Sequence, residues 1–286
     1  MNLLLLFILG AIWGTSFLFI KIVVTEIGPL TLVMGRLGLA ALLMWILLWI
    51  RKVPFPRKRD LWRTYAITGL LNGALPFSLI SWGEQYIPSG WAALLQATTP
   101  IFTVLLAHVL THDDRINSAK TIGVTLGFCG VGLLMWPEIQ QGLSASALGM
   151  IAIVGSSVSY ALVSIIARRR LKGQDPMASA AGQFTMGLVY ILPMAFLFER
   201  PLGISLSARA AASWVTLAIL GTVIAYAIYY VLLDRTSATF TTMVTYIVPI
   251  NGLILGAVVL RESLNWMVVA SAALVLCGIL LIHKSP

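Results

Sequence analysis

Apolar runs of about 20 residues recur ten times along the chain, each ended by a short cluster of Gly, Pro or charged residues. They lie at about 3–24, 30–50, 63–86, 90–110, 117–136, 147–168, 176–198, 209–233, 238–260 and 266–283. Each is long enough at the helical rise to cross a bilayer core. The pattern therefore predicts an all-α membrane protein of ten transmembrane helices. The first run resembles a secretory leader in hydropathy only. Met1-Asn2 supplies no basic stretch, no small-residue cleavage site follows, and the run has a counterpart later in the chain. It is expected to be a retained helix.

The runs also repeat as a set. Gly28-Pro29-Leu30 with Gly35-Arg36-Leu37 returns as Asp175-Pro176-Met177 with Gly182-Gln183-Phe184. Leu95-Gln96-Ala97-Thr98-Thr99-Pro100-Ile101 returns as Val244-Thr245-Tyr246-Ile247-Val248-Pro249-Ile250, and Phe128-Cys129-Gly130 as Leu276-Cys277-Gly278. Residues 1–140 and 141–286 thus read as two copies of five spans. With an odd number of crossings per copy, the second must enter from the opposite face, a 5+5 inverted-topology repeat within one membrane domain.

Composition agrees: 59% of residues are apolar and 10% charged, with mean hydropathy +0.95. The loops left over are too short to house a soluble domain. The net charge of +9 would suit a nucleic-acid partner if it were clustered on one face, but it is divided among alternate loops. Arg51, Lys52, Arg57, Lys58 and Arg59 follow the second span, Arg115 and Lys120 the fourth, and Arg168, Arg169, Arg170 and Lys172 the sixth. This bias sets both termini in the cytoplasm by the positive-inside rule. Its expected partner is anionic lipid, not nucleic acid. Cys129 and Cys277, at matching places in spans five and ten, read as small packing residues.

The ionisable groups narrow the chemistry. Glu26, Asp60, Glu84, Asp113, Asp114, Glu138, Asp175, Glu199, Asp234 and Glu262 all fall at span ends or in loops, and His108, His112 and His283 lie toward span ends. No mid-membrane carboxylate offers itself as a proton carrier. No clustered Ser/His/Asp, paired buried carboxylates or metal-spaced His and Cys are seen, so neither enzyme chemistry nor a metal or cofactor site is expected. Arg36, inside span two, is the exception to an uncharged interior. It is either snorkelling or paired structurally, or it faces a cavity and attracts a carboxylate.

Polar and aromatic stripes mark candidate cavity walls. Trp13, Ser16 and Phe17 in span one match Tyr160, Val163 and Ser164 in span six; the spacing places each trio on one helix face. Span three brings Asn72, Pro76 and Leu79 to one side, and span eight Tyr226, Tyr229 and Tyr230. Span four offers Gln96, Thr99 and Thr103, and span nine Thr242, Thr245 and Tyr246. Gln183 is the neutral counterpart of Arg36. Each stripe alone is also what helix packing requires. Pro100 and Pro249 are expected to kink spans four and nine near mid-membrane. Trp62, Trp136, Trp214 and Trp266 are read as interfacial anchors.

On these residues the chain resembles the drug/metabolite transporter superfamily, in its ten-helix EamA-type branch. The resemblance rests on Gly10-Ala11-Ile12-Trp13-Gly14-Thr15-Ser16-Phe17, on Gly35-Arg36-Leu37, and on the run from Pro249 through Val258-Val259-Leu260-Arg261-Glu262-Ser263-Leu264 to Cys277-Gly278. Pro100 through Asp113 to Gly130 echoes that last run. The resemblance implies an inner-membrane exporter of small organic solutes. Its cavity would be walled by helices one to four and six to nine, with the fifth helix of each repeat outside them. Amino-acid exporters are the members it is most similar to. Four-helix members of the superfamily couple to protons through a glutamate three residues before a Gly-Thr pair, and Ala11 occupies that place here. Facilitated, alternating-access export of amino acids or similar metabolites is thus the leading expectation. Efflux of hydrophobic cationic drugs is the alternative transport reading, and a membrane enzyme or sensor the alternative of another class. No obligate protein partner is indicated.

Overall fold

The computed structural model describes every residue except Phe55, 112–115, Gln141, Leu143, Ser237, Ser285 and Pro286, and omits the side chains of Ala238, Thr239 and Lys284. His112, Asp113, Asp114 and Arg115, invoked above, lie outside the described residues. Among those described, the elements are helices: α1 (Asn2–Val24), α2 (Pro29–Ile50), α3 (Arg59–Gly69), α4 (Leu75–Gly83), α5 (Ser89–Gln96), α6 (Thr99–Leu110), α7 (Ser118–Gln140) and α8 (Ala145–Arg170). The second half adds α9 (Pro176–Phe198), α10 (Ala208–Ala218), α11 (Ala225–Arg235), α12 (Ala238–Thr242), α13 (Val244–Val259) and α14 (Trp266–Lys284). Helix starts follow local chemistry. Pro29 and Pro176 open α2 and α9. The side chains of Ser144, Asp175 and Ser207 accept the backbone N–H three residues on.

Nine of these helical stretches are long and apolar enough to cross a membrane, among the described residues. The helix over 59–83 is not one of them; Asn72, Pro76 and several Ser and Gly residues dilute its hydropathy. It is continuous nonetheless. A π-helical turn, Leu70–Ala74, joins α3 to α4, and a second one, Ile219–Ile224, joins α10 to α11. Neither was expected from the sequence. A π turn inserts a residue, rotates the following helix and leaves carbonyls in search of partners. Ser159 Oγ takes the freed carbonyl of Leu71 at 2.8 Å.

The two prolines behave differently from the expectation of matched kinks. The helix stops at Gln96, two residues form a turn, and Pro100 stands in the first turn of α6, where its missing N–H costs nothing. Pro249 is buried inside the unbroken α13, and the interruption of that span falls earlier, at Met243.

Helices α2 and α9 pack together, as do α5 and α13, and α7 and α14. Helix α1 lies against α13, α10 and α11, while α8 lies against α6, α5 and α4. Helix α3 meets α9 as α10 meets α2. Exchanging each run of the first half for its counterpart in the second reproduces these pairings. The main core runs from Phe17, Leu32 and Leu37 through Ile80 and Leu94 to Phe184 and Leu217. A smaller core holds Leu6, Leu9, Ala225, Leu232 and Val244. Outward, Phe7, Val109, Leu197, Phe198 and Val258 form an apolar exterior suited to lipid.

One end of the bundle is tied by glutamates. Glu199, just past α9, accepts from Leu30 N and Thr31 N of α2 at 2.9 and 2.7 Å. Glu262, past α13, accepts from Ser89 N and Gly90 N of α5 at 2.7 and 3.0 Å. Glu26, past α1, accepts from Ser207 N and Oγ before α10 at 2.8 and 2.6 Å. Each places a negative charge on the free N–H groups of a helix start in the other half, where the helix dipole also favours it. Trp214, expected as an interfacial anchor, is instead drawn between helices by its Nε1 bond to Leu32 O at 2.8 Å. Trp136 and Trp266 are exposed, as anchors require.

Candidate functional site

Arg36 is central to the most polar part of the interior. About a third of the way along α2, it is only 5% exposed. Its Nε donates to Thr222 Oγ1 in the second π turn at 2.9 Å, and its guanidinium carbon sits 3.8 Å from the centre of the Phe77 ring. No carboxylate of a described residue lies within ion-pair distance; the one pair found among them is the exposed Arg63–Asp60. A bare cation in a low-dielectric interior is costly unless something balances it. The aromatic face of Phe77 does so in part, and the Glu84 carboxyl group is within electrostatic reach.

Around it the predicted residues come together on several helices. Asn72, in the first π turn, donates from Nδ2 to Gln183 Oε1 at 3.0 Å and accepts from Tyr226 OH at 3.2 Å. Tyr226 meets Phe184, Trp13 and Tyr230 with ring centres 5.1, 6.2 and 6.0 Å apart. Tyr229 closes the group, 5.8 Å from Trp13 and 5.5 Å from Tyr230. Trp13, Tyr160, Tyr226, Tyr229 and Tyr230 are each only partly buried. Ser16, Phe17 and Pro76 are buried in packing, and Ser16 Oγ bonds its own helix at Ile12 O. Leu79 is half-buried.

A second polar group lies between the fourth span and α8. Gln96 Nε2 donates to Thr99 Oγ1 at 3.0 Å and Ser157 Oγ at 3.2 Å, and its Oε1 accepts from Ser156 Oγ at 2.6 Å. Gln96 and Thr99 were predicted, whereas Ser156 and Ser157 were missed; the small-residue run Gly155-Ser156-Ser157 is their only mark in the sequence. Thr245, Tyr246 and Ser164 do not join either group. Tyr246 OH lies 2.8 Å from Nδ1 of His283 on α14, Thr245 Oγ1 bonds Thr242 O, and exposed Ser164 bonds Ala161 O.

The interior also holds a second ionisable group, which the sequence reading placed only at a span end. Glu84 does follow the last residue of α4, but its side chain is 0% exposed. Arg36 is therefore not alone. Open hollows lie at the two ends of the bundle. One, of about 730 Å³, is bordered by Trp49, Lys52, Val53, Pro54, Arg57 and Lys58. The other, of about 340 Å³, lies among the glutamates and is lined by Lys21, Ile22, Thr25, Glu26, Arg209, Leu260 and Glu262. No group of three or more His, Cys, Asp or Glu suited to a metal occurs among the described residues.

Comparison with known proteins matches the family model "EamA-like transporter family" twice, over residues 1–136 and 147–283. The uncharacterized inner membrane transporter YedA of Escherichia coli K12 is 29% identical, over 98% of this chain and 92% of its own. The uncharacterized transporter YoaV of Bacillus subtilis is 24% identical, over 94% of this chain and 91% of its own. A solved crystal structure superposes with a TM-score of 0.69 at 17% identity, over 98% of this chain and 96% of that one, a likeness of fold alone.

Proposed function

Since the chain belongs to the EamA-like transporter family and is a multi-pass membrane transporter, we propose that it is an alternating-access exporter of amino acids or similar small metabolites, needing no imposed proton gradient. It works in the inner membrane with both termini cytoplasmic. Ten spans form two inverted five-helix repeats, residues 1–140 and 141–286. The twofold match to the family model, the paired π turns and the exchange symmetry of the helix contacts support the repeat. Being named an inner membrane transporter, YedA supports the location. The basic loops support the orientation, which sets the glutamate-bearing end outside.

One observation carries the substrate class: Arg36 is buried with no carboxylate partner among the described residues. A guanidinium held this way presents two parallel donors to a planar carboxylate and gains the charge balance it lacks. Asn72, Gln183 and the Tyr226 hydroxyl offer further hydrogen bonds, and Trp13, Tyr226 and Tyr230 a loosely selective aromatic wall for side chains. Gln96 and Thr99, bonded with Ser156 and Ser157 of α8, offer a second polar group. Helices α7 and α14 lie outside this group and brace the periphery.

The test is counterflow of radiolabelled amino acids in proteoliposomes. We expect exchange without a pH gradient in the wild type; failure of every amino acid to exchange, or strict dependence on a gradient, overturns the reading. The aromatic wall would also suit a hydrophobic cation, but Arg36 in the same wall repels one. Growth of expressing cells on toxic amino-acid analogues or on cationic dyes separates the two, with resistance expected only to the analogues.

A further inference from the structure

Lys21 stands in the last turn of α1, and its Nζ donates to the backbone carbonyls of Glu84 at 2.5 Å and Ile87 at 2.9 Å. It thereby pins the end of α4 to the end of α1. The ammonium does not pair with the Glu84 carboxyl group. That group is fully buried, and neither of its oxygens meets a hydrogen-bond donor among the described residues. The charged groups that bear on it are Lys21 from α1, Arg36 from α2 and Glu262 from beyond α13. Helix α8, packed on α4 through Gly149 and Ile153, brings no charge there, nor does the start of α5. Lys21 itself lines the hollow that Glu26, Arg209 and Glu262 also border.

An ionised Glu84 in this place would be a fully desolvated negative charge with no hydrogen-bond donor; Lys21 and Arg36 offset part of that cost, and the Glu262 carboxylate that clamps Ser89 N and Gly90 N adds to it. One proton removes that charge. Opening this end would bring water to the carboxyl group and remove the penalty on its ionised form. We propose that Glu84 is a proton-binding site that is filled when the glutamate-bearing end is closed and empties into the hollow when that end opens. The step is simple acid–base chemistry: a carboxylate oxygen bonds a proton from the solvent of the hollow and returns it there. Because the proton enters and leaves on one side, its binding sets the gate and carries no proton through the membrane. Acid on this side therefore holds the gate shut, and alkali loosens it. The consequence for flux rests on the transporter reading, whereas the gating itself does not.

The experiment reads the gate without substrate. In a chain carrying Cys129→Ala and Cys277→Ala, Ser89→Cys places a thiol at a buried site beside the Glu262 clamp, and Ser205→Cys, in a separate chain, places one on the exposed loop at the same end. Both are labelled with an impermeant maleimide from that side in vesicles. The ratio removes the pH dependence the two thiols share, and the Glu84→Gln chain carrying the same thiols reports whatever difference in their ionisation remains. We expect the ratio to rise about fivefold between about pH 5 and about pH 8.5, to stay at its low acid value throughout in Glu84→Gln, and to keep a pH dependence in Glu84→Asp. A flat ratio in the chain with Glu84, or an unchanged rise in Glu84→Gln, overturns the proposal; the first of these needs no variant of Glu84 to fold. A chain that shows the switch yet moves no amino acid removes the transport reading and leaves this one standing.

Discussion

Replacing Arg36 separates function from stability. As a buried cation without an ion-paired carboxylate among the described residues, it contributes little to folding and costs desolvation. Arg36→Met should therefore leave the melting temperature in detergent equal or higher while lowering amino-acid counterflow by at least about tenfold. Arg36→Lys keeps the charge but loses the planar fork, and should fall between the two. A clear drop in melting temperature for Arg36→Met would instead identify the arginine as structural. Glu26 makes a different prediction, set by pH. Hydrogen bonds from the Ser207 hydroxyl and then its N–H hold this exposed carboxylate below its ordinary value of 4.5. A depressed value in the folded protein means the bonds stabilise it above about 4.5 and stop doing so as pH falls through the lower folded value. Glu26→Gln should thus lower the melting temperature at neutral pH and converge on wild type in acid. Equal differences at both ends of the scan would refute that assignment.

At the scale of elements, α7 and α14 make one of the closest helix approaches. A Cβ on Gly123 would stand 2.6 Å from Gly278 O, and one on Gly278 would collide with Gly123 O, so the two backbones touch. Small residues at a membrane helix contact allow this approach, and it is where dispersion acts best. Gly278→Leu should destabilise by about 1–3 kcal/mol through forced separation. Counterflow per folded molecule should be kept, because α7 and α14 are remote from Arg36; measuring thermal unfolding and transport on the same preparation checks both. The end clamps are elements of the same kind. Gly28 precedes α2 at the point where a side chain would strike the Glu199 carboxylate. Glu199→Ala removes two hydrogen bonds at a helix start and should cost about 1 kcal/mol.

For the whole molecule the decisive measurement is topology. Single cysteines in the loops after α2 and after α9, matching places in the two copies, should label from opposite sides of the membrane. Labelling of both from one side would remove the inverted repeat and with it the placement of Glu84 outside. The three glutamate clamps and Lys21 all join helix ends at one end of the bundle. Tyr229, Tyr230 and Ser164 retain accessible surface nearer the basic end.

Helix positions were legible because hydrocarbon thickness fixes span length, and because Gly, Pro and capping residues end a helix by local chemistry; the structure holds α9 at the expected 176–198. The contacts that join Trp13, Tyr226, Asn72 and Gln183 fall on polar and aromatic residues that stand out within apolar runs. Tertiary structure decided the rest. The π turns at Leu70–Ala74 and Ile219–Ile224 depend on partners such as Ser159 on another helix, and they rotate everything beyond them. Tyr246 shares the sequence character of a cavity residue but is turned to His283. Glu84 ends a helix as its sequence suggests, while neighbours far along the chain bury it. Local sequence determines where a helix begins and ends, because its hydrogen bonds reach only four residues. Which way its side chains point, and what they meet, follows from rotation and crossing against helices more than a hundred residues away, as the bond from Arg36 to Thr222 shows.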